Sequence, residues 1–310
     1  MNTGSAQGNW AMDASLLHEP RRRSFQLADG EMAAIDFGDP NRPVDILFCH
    51  ANGFNALTYR SILAPLSASL RILALDQRGH GASRLPTATE GRASWDDMVG
   101  DLVQVIDQLD APPLVLAGHS MGGSVSLLAA GLRPDRVRSL VLFDPVVMPW
   151  LWSFLAETPF TSLEALKKAP IAVRAAARRA IFPSAKDAFS AYHGRGAFKS
   201  WPDMILADYV AAGFHALPDG EVELACAPAW EASNFSAQKN RIWSRIGKVK
   251  ASINLYRAEH GSTCRIGNGW WFFKGRRGVH QETVPGSTHF LPMERPDLVR
   301  DALIDAVEQG

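Results

Sequence analysis

One pentapeptide in the 310-residue chain combines a possible nucleophile with small neighbours, Gly118-His119-Ser120-Met121-Gly122. An apolar, strand-like run over residues 114–117 precedes it, and a helix-like run over residues 124–132 follows it. A serine on such a sharp strand-to-helix turn has strained backbone geometry, and the turn leaves no room for side chains at the two flanking glycines. The hydroxyl then stands at a helix N-terminus, where N–H groups stabilise developing negative charge. The pattern therefore predicts that Ser120 is a catalytic nucleophile on a nucleophile elbow.

A serine hydroxyl needs a general base before it can attack an ester carbonyl. Of the nine histidines, His289 is the best placed, since it lies in a loop between the last strand-like run and the last helix-like run. In a doubly wound sheet that loop falls on the same edge as Ser120, and an imidazole suits proton transfer near neutral pH. His80 and His119 lie in tight turns, for which a structural role is expected.

Two acids end strand-like runs on that same edge and could orient the imidazole. Asp144 follows the run 140–143, and Glu259 follows the run 253–258. Either carboxylate could accept the imidazole N–H and stabilise the imidazolium ion. Alternatively, Asp144 could cap a turn and Glu259 could be a surface carboxylate. These residues by themselves leave the choice open.

Two backbone N–H groups are expected to hold the oxyanion of an acyl-transfer reaction. Met121, directly after the nucleophile, supplies one. Asn52, in the loop 50–54 after the strand-like run 44–49, is expected to supply the other, with its side-chain amide as a further candidate. The alternative for Asn52-Gly53 is an ordinary turn pair.

The elements that must position these groups follow a regular alternation of apolar strand-like runs and amphipathic segments. Residues 25–37 are typical of a hairpin, helices are predicted over 59–69, 95–109 and 296–307, and further strands over 44–49, 71–75, 114–117, 140–143, 253–258 and 278–284. Strands that are apolar throughout are typical of a parallel sheet covered by helices on both faces. We therefore expect a doubly wound α/β sheet with its site at the carboxyl edge of the strands.

The alternation stops between about residues 146 and 248, where aromatic residues and Ala/Arg-rich helical pieces such as 171–181 accumulate. A mainly helical insertion after a sheet strand is best interpreted as a cap over the active edge, with an aromatic pocket wall. A separate helical domain and packing on the far face are the alternatives. The expected organisation is a flexible arm over 1–20, a core over 21–145 and 249–310, and a cap over 146–248.

Composition restricts the partners and the compartment. Lys+Arg and Asp+Glu are equal at 32 each, so nothing favours nucleic acid or an anionic membrane. Cys49, Cys226 and Cys264 show no metal-ligand spacing and are expected to be free buried thiols. Nothing at the N-terminus of this sequence resembles a signal peptide, and no run reaches the roughly 18 apolar residues that a membrane span requires. We expect a cytoplasmic enzyme with a small-molecule substrate and no metal or cofactor, and leave open whether it is a monomer or a homodimer.

Four motifs in this order resemble the α/β-hydrolase fold superfamily: His50-Ala51-Asn52-Gly53-Phe54, Asp76-Gln77-Arg78-Gly79-His80-Gly81, Gly118-His119-Ser120-Met121-Gly122-Gly123 and Phe290-Leu291-Pro292-Met293-Glu294-Arg295-Pro296. The resemblance implies a mostly parallel eight-stranded sheet with a helical cap inserted after the sixth strand. Most members carry their acid shortly after the penultimate strand, where this chain has Gly261. One subgroup of haloalkane dehalogenases carries it at the position that Asp144 occupies, which favours Asp144 over Glu259.

Dehalogenases of this fold use an aspartate nucleophile, whereas this chain has Ser120, and a serine alkoxide attacks carbonyl carbon. The predicted function is therefore a carboxylesterase-like serine hydrolase that cleaves a small, fairly apolar ester, thioester or lactone through an acyl-enzyme. A carbon–carbon bond hydrolase of the meta-cleavage type and a non-catalytic ligand-binding protein are the alternatives. The aromatic run Trp270-Trp271-Phe272-Phe273 is interpreted as core, with a pocket wall or an interfacial patch as alternatives.

Overall fold

The strands form a large sheet and a small one in a computed structural model that describes residues 18–158, 168–267 and 278–309. The described strands are β1 (Arg21–Leu27), β2 (Gly30–Phe37), β3 (Ile46–Cys49), β4 (Ile72–Leu75), β5 (Leu114–His119), β6 (Val137–Phe143), β7 (Ile181–Phe182), β8 (Phe214–Ala216), β9 (Val222–Leu224), β10 (Ser252–Ala258) and β11 (Val279–Val284). The large sheet has eight strands in the order β1-β2-β4-β3-β5-β6-β10-β11. Strand β2 runs antiparallel to both of its neighbours, and every other pair is parallel. The predicted α/β-hydrolase sheet, eight-stranded and mostly parallel, is confirmed.

Helices cover both faces of this sheet. The described α-helices are α1 (Arg60–Leu63), α2 (Asp96–Gln108), α3 (Met121–Leu132), α4 (Trp150–Glu157), α5 (Pro170–Ala176), α6 (Ala185–Tyr192), α7 (Asp203–Ala212), α8 (Pro228–Ser236), α9 (Ile242–Ile246), α10 (Leu291–Glu294) and α11 (Pro296–Glu308). Along β5, Leu114 and Leu116 belong to a core cluster with residues of α2 and α3, while Val115 and Ala117 belong to a second cluster with residues of α1 and α11. Because successive strand residues point to opposite faces, both faces of β5 are buried.

Two predicted helices are shorter in the structure than the sequence pattern suggested. The predicted helix over 59–69 is a single α-helical turn, α1, between two 3₁₀ segments, Ala56–Tyr59 and Ala64–Ala68. Pro65 lacks the N–H that a continuing α-helix requires. The Ala/Arg-rich stretch over 171–181 forms α5 only as far as Ala176, and its last residue joins β7.

The segment between β6 and β10 contributes no strand to the large sheet among its described residues. It contains helices α4 to α9 and also a small antiparallel sheet in the order β7-β9-β8, which the prediction of a mainly helical insertion did not include. These strands have only two or three residues each, too few for a period-2 pattern to be recognised.

The three cysteines are free and buried, as expected. Within residues 18–158, 168–267 and 278–309, no helix combines the length and the hydropathy needed to cross a membrane. Most of the predicted arm over 1–20 and the aromatic run Trp270-Trp271-Phe272-Phe273 lie outside the described residues.

Candidate active site

The pentapeptide around Ser120 forms the sharp turn between β5 and α3. Ser120 has φ 55° and ψ −120°, a left-handed backbone conformation that strains a residue with a side chain. A Cβ added at Gly118 would lie 2.5 Å from the carbonyl carbon of Gly122, and one added at Gly122 would lie 2.2 Å from the carbonyl oxygen of Cys49. The two glycines are therefore required because backbone passes where their side chains would be.

His289 lies in the loop between β11 and α10, at the same sheet edge as Ser120. Its Nε2 is 3.0 Å from Ser120 Oγ, and its Nδ1 is 2.6 Å from Asp144 Oδ2. The Ser120 side chain is nearly buried, whereas 22% of the His289 side chain is exposed. Three side chains that are far apart in the chain thus form one continuous hydrogen-bonded series.

Asp144 follows β6 directly and is fully buried. Its Oδ1 accepts hydrogen bonds from the N–H of Ala258 and the hydroxyl of Ser262, and its Oδ2 accepts from the N–H of Thr263 and from His289. Burial alone would raise the pKa of the Asp144 carboxyl, but the hydrogen bonds from His289, Ser262 and Ala258 outweigh it, and the pKa lies below its usual value. Asp144 is therefore ionised and held in one orientation.

Glu259, the other candidate acid, makes no hydrogen bond with the imidazole of His289. Its Oε2 accepts a hydrogen bond from the N–H of Gly286 at 2.7 Å and lies 3.4 Å from His260, and 46% of its side chain is exposed. The loop that follows Glu259 supplies Ser262 and Thr263, which donate hydrogen bonds to Asp144. This loop, where the family resemblance placed an acid, therefore provides donors to an acid from the neighbouring strand.

Two residues of the site, Met121 and Asn52, have backbone N–H groups without an acceptor among the described residues. Met121 is the first residue of α3, and among the described residues its N–H has no acceptor, because the first hydrogen bond of this helix runs from Ser124 to Ser120. The N–H of Asn52 also has no acceptor within the described parts of the chain. Both residues line the same cavity as Ser120.

The side chain of Asn52 makes two hydrogen bonds with residues of helix α8. Its Nδ2 donates to the carbonyl of Glu231 at 3.0 Å, and its Oδ1 accepts from Asn234 Nδ2 at 2.8 Å. Arg92 in turn donates to Asn234 Oδ1 at 2.6 Å. The amide of Asn52 has two N–H groups, and only one of them is used in the hydrogen bond to Glu231. The second side-chain N–H and the backbone N–H therefore both remain candidate oxyanion donors.

A buried hydrogen-bonded series supports the loop that carries His289. His119 Nε2 contacts the carbonyl oxygen of His289 at 2.8 Å, and His119 Nδ1 contacts the Tyr59 hydroxyl at 2.8 Å, which accepts from the N–H of Ala51. Burial lowers the pKa of His119 to about 3, so its imidazole is neutral and Nε2–H donates to the carbonyl. His80 is likewise buried and structural, with Nε2 accepting from the N–H of Gly53. The sequence placed both histidines in tight turns but gave no indication of Tyr59.

These groups meet at one side of a cavity of about 890 Å³. Its walls are largely apolar and include Phe54, Met148 and Phe235, and residues from α5, α6, α7 and α8 line it together with Ser120 and His289. The structure thus brings together Ser120, His289, Asp144, Met121 and Asn52, all of them at the carboxyl ends of strands. An apolar cavity next to a hydroxyl–imidazole–carboxylate series suits acyl transfer to a small substrate.

A family model for the α/β hydrolase fold matches residues 46–245, which is more than half of the chain. The chain therefore belongs to the α/β hydrolase fold family. The 2-(acetamidomethylene)succinate hydrolase of Mesorhizobium japonicum is 25% identical over 264 residues, covering 85% of this chain and 87% of that protein.

Two solved structures are similar over nearly the whole chain. The crystal structure of E-2-(acetamidomethylene)succinate hydrolase has a TM-score of 0.75 at 22% identity and covers 94% of this chain and 100% of its own. The thioesterase domain from the curacin biosynthetic pathway has a TM-score of 0.72 at 18% identity, with 93% and 99% covered. At these identities the two structures show the shared fold alone.

Proposed function

We propose that this α/β-fold hydrolase is a serine hydrolase that cleaves a small carboxylic ester, thioester or lactone through an acyl-enzyme intermediate. The observation that carries the proposal is the series from Ser120 Oγ to His289 Nε2, at 3.0 Å, and from His289 Nδ1 to Asp144 Oδ2, at 2.6 Å. His289 takes the proton of Ser120 as the oxygen bonds to the substrate carbonyl carbon. The same imidazole then returns the proton to the leaving group as the bond to that group breaks.

Asp144 acts on His289 rather than on the substrate. Its ionised carboxylate holds the Nδ1–H tautomer, so that Nε2 faces the serine, and it stabilises the imidazolium ion that forms during each step. The four hydrogen bonds that the carboxylate accepts, including those from the N–H of Thr263 and the hydroxyl of Ser262, keep it from rotating.

The N–H groups of Met121 and Asn52 hold the oxyanion of the tetrahedral intermediate. Two observations support this role: neither N–H has an acceptor among the described residues, and Met121 lies at the positive N-terminal end of α3. In the second half of the reaction, His289 activates a water molecule, which attacks the acyl-enzyme and releases the acid and free Ser120.

Residues 146–248 act as the cap in this proposal. Helices α5 to α8 supply part of the cavity lining, and the carbonyl of Glu231 in α8 holds the side chain of Asn52. The cavity is partly open to solvent, and its largely apolar lining lowers the polarity around the oxyanion and so strengthens the hydrogen bonds to it. A small substrate is supported by the relative named for 2-(acetamidomethylene)succinate, which spans most of the chain.

The experiment measures p-nitrophenyl butyrate turnover and fluorophosphonate labelling in the wild type, Ser120→Ala and Ser126→Ala. Ser126 lies in the same helix, and its hydroxyl contacts the carbonyl of Ala117 outside the cavity. We expect that Ser120→Ala abolishes both signals and that Ser126→Ala retains them.

Labelling of Ser120→Ala at the wild-type rate would refute the assignment of the nucleophile. Turnover of a vinylogous diketone without any ester turnover would favour carbon–carbon bond hydrolysis instead. A wild-type protein that is neither labelled nor active would favour the ligand-binding alternative.

A further inference from the structure

Two phenol groups in the cavity have hydrogen-bond donors that the protein does not use. Arg178 Nη2 donates to the hydroxyl oxygens of Tyr192 and Tyr209, each at 3.2 Å. A guanidinium group has no acceptor, so each phenol O–H has to point elsewhere. Within residues 18–158, 168–267 and 278–309 neither phenol donates a hydrogen bond, and both residues line the cavity.

The two hydroxyl groups are close enough to bind one ligand group. Each oxygen contacts the same nitrogen of Arg178, so the two oxygens lie no further apart than twice 3.2 Å. Tyr209 is buried, and Arg178 also pairs with the buried carboxylate of Glu231, which holds the guanidinium in place. The cavity therefore contains a preorganised pair of O–H donors that have no acceptor among the described residues, and the nearby carboxylate of Glu231 is already paired with Arg178.

The cavity lining also carries an excess of positive charge, although the protein as a whole has none. Its charged residues among those described are four arginines, Arg174, Arg178, Arg195 and Arg265, and one acid, Glu231. Glu231 pairs with Arg178, whereas no carboxylate of the described residues lies within ion-pair distance of the other three arginines. An apolar cavity with a positive rim raises the local concentration of anions and repels cations.

We propose that the substrate of the serine hydrolase carries a free carboxylate in addition to the acyl group that reacts. The carboxylate accepts hydrogen bonds from Tyr192 and Tyr209 and is attracted by the arginines of the cap, while the scissile carbonyl lies at Ser120. A carboxylate accepts hydrogen bonds and so fits two O–H groups that have no acceptor among the described residues, whereas an ammonium or a neutral alkyl group would leave both phenol donors unsatisfied. This inference rests on the proposed function, because it describes the other end of the same substrate.

The test compares two esters of equal chain length, mono-p-nitrophenyl adipate and p-nitrophenyl hexanoate, which differ in a terminal carboxylate or methyl group. We expect a higher kcat/KM for the adipate ester in the wild-type enzyme. Tyr192→Phe and Tyr209→Phe should each lower the ratio of the two kcat/KM values by on the order of ten-fold, since each removes one hydrogen bond to a charged group. The matched control is Tyr256→Phe, which removes a phenol on β10 outside this cavity and should leave the ratio unchanged.

A second pair of variants avoids the buried side chains. Arg174→Gln and Arg195→Gln change exposed residues at the rim and should lower the same ratio, more strongly at low salt than at high salt. Equal kcat/KM values for the two esters, with a ratio that Tyr192→Phe does not change, would overturn the carboxylate site and leave the role of Ser120 intact.

A binding measurement separates this inference from the proposed function. Adipate should raise the midpoint of thermal unfolding of Ser120→Ala, and the double variant Ser120→Ala with Tyr192→Phe should lose most of that shift. If neither ester is hydrolysed, the proposed function fails, but the adipate shift still decides the carboxylate site. No shift with adipate in Ser120→Ala would overturn it.

Discussion

The replacement of Asp144 by asparagine tests the proposed role of this acid most directly, because the side chain keeps its size while its charge is lost. Oδ1 accepts from the N–H of Ala258 and Oδ2 accepts from the N–H of Thr263. Whichever way the amide is oriented, its NH₂ group faces a backbone donor or His289. One buried N–H then loses its acceptor, which costs about 1–3 kcal/mol of stability.

The effect on catalysis should be larger than the effect on stability. With an amide beside Nδ1, the imidazole no longer has a carboxylate to fix the tautomer or to stabilise the imidazolium ion. We expect kcat for p-nitrophenyl butyrate to fall by on the order of 10⁴, as in serine triads that lose their acid. Circular dichroism and urea unfolding have to show that Asp144→Asn is folded at the assay temperature.

Glu259→Gln is the matched control for this variant. Its side chain is 46% exposed and accepts one backbone hydrogen bond, from Gly286, which a glutamine oxygen can also accept. We expect kcat within about three-fold of wild type, since exposed substitutions of this kind change energies by about 0.5 kcal/mol. A greater loss in Glu259→Gln than in Asp144→Asn would show that the choice of acid is wrong.

Three further predictions concern the groups that hold the site in place. Gly122→Ala places a Cβ against the carbonyl oxygen at the end of β3 and should yield an inactive or insoluble protein, whereas Gly100→Ala, in an open part of α2, should raise the free energy of unfolding by about 0.5–1 kcal/mol, as thermal unfolding can measure. Tyr59→Phe removes the hydroxyl that contacts His119. It should lower the free energy of unfolding, measured by urea titration, by about 1–3 kcal/mol, and it should also lower kcat. Wild-type values of both quantities would contradict the supporting role of Tyr59. Burial lowers the pKa of His119 to about 3 and of His80 to about 4 in the folded protein. As the pH falls below about 6.5, both imidazoles therefore become protonated in the unfolded chain while they stay neutral in the folded one. Stability present above that pH should therefore be lost on acidification, by about 2 kcal/mol per histidine at pH 5, and equal urea midpoints at pH 7 and pH 5 would contradict it.

Much of the fold could be predicted from local sequence patterns. Apolar strand runs indicated a parallel sheet buried on both faces, and the strands on either side of Ser120 were predicted to within a few residues. The glycines at 118 and 122 could be interpreted from the sequence because the steric requirement lies within one turn and the strand beside it. The helix predicted over 59–69 failed because short 3₁₀ segments share the apolar spacing of an α-helix over a few residues.

The sequence alone placed Ser120 and His289 at the same sheet edge, because a carboxyl edge is determined by strand direction and chain order. It left Asp144 and Glu259 as alternatives, since both end neighbouring strands and position along the chain does not specify where a side chain points. The tertiary structure places Asp144 against the imidazole because the loop after Glu259 folds back, so that Ser262 and Thr263 hold the Asp144 carboxylate while Glu259 binds the N–H of Gly286. The contacts of Asp144 with Ser262, Thr263 and His289 join residues more than a hundred positions apart, and their geometry depends on packing that no local pattern encodes.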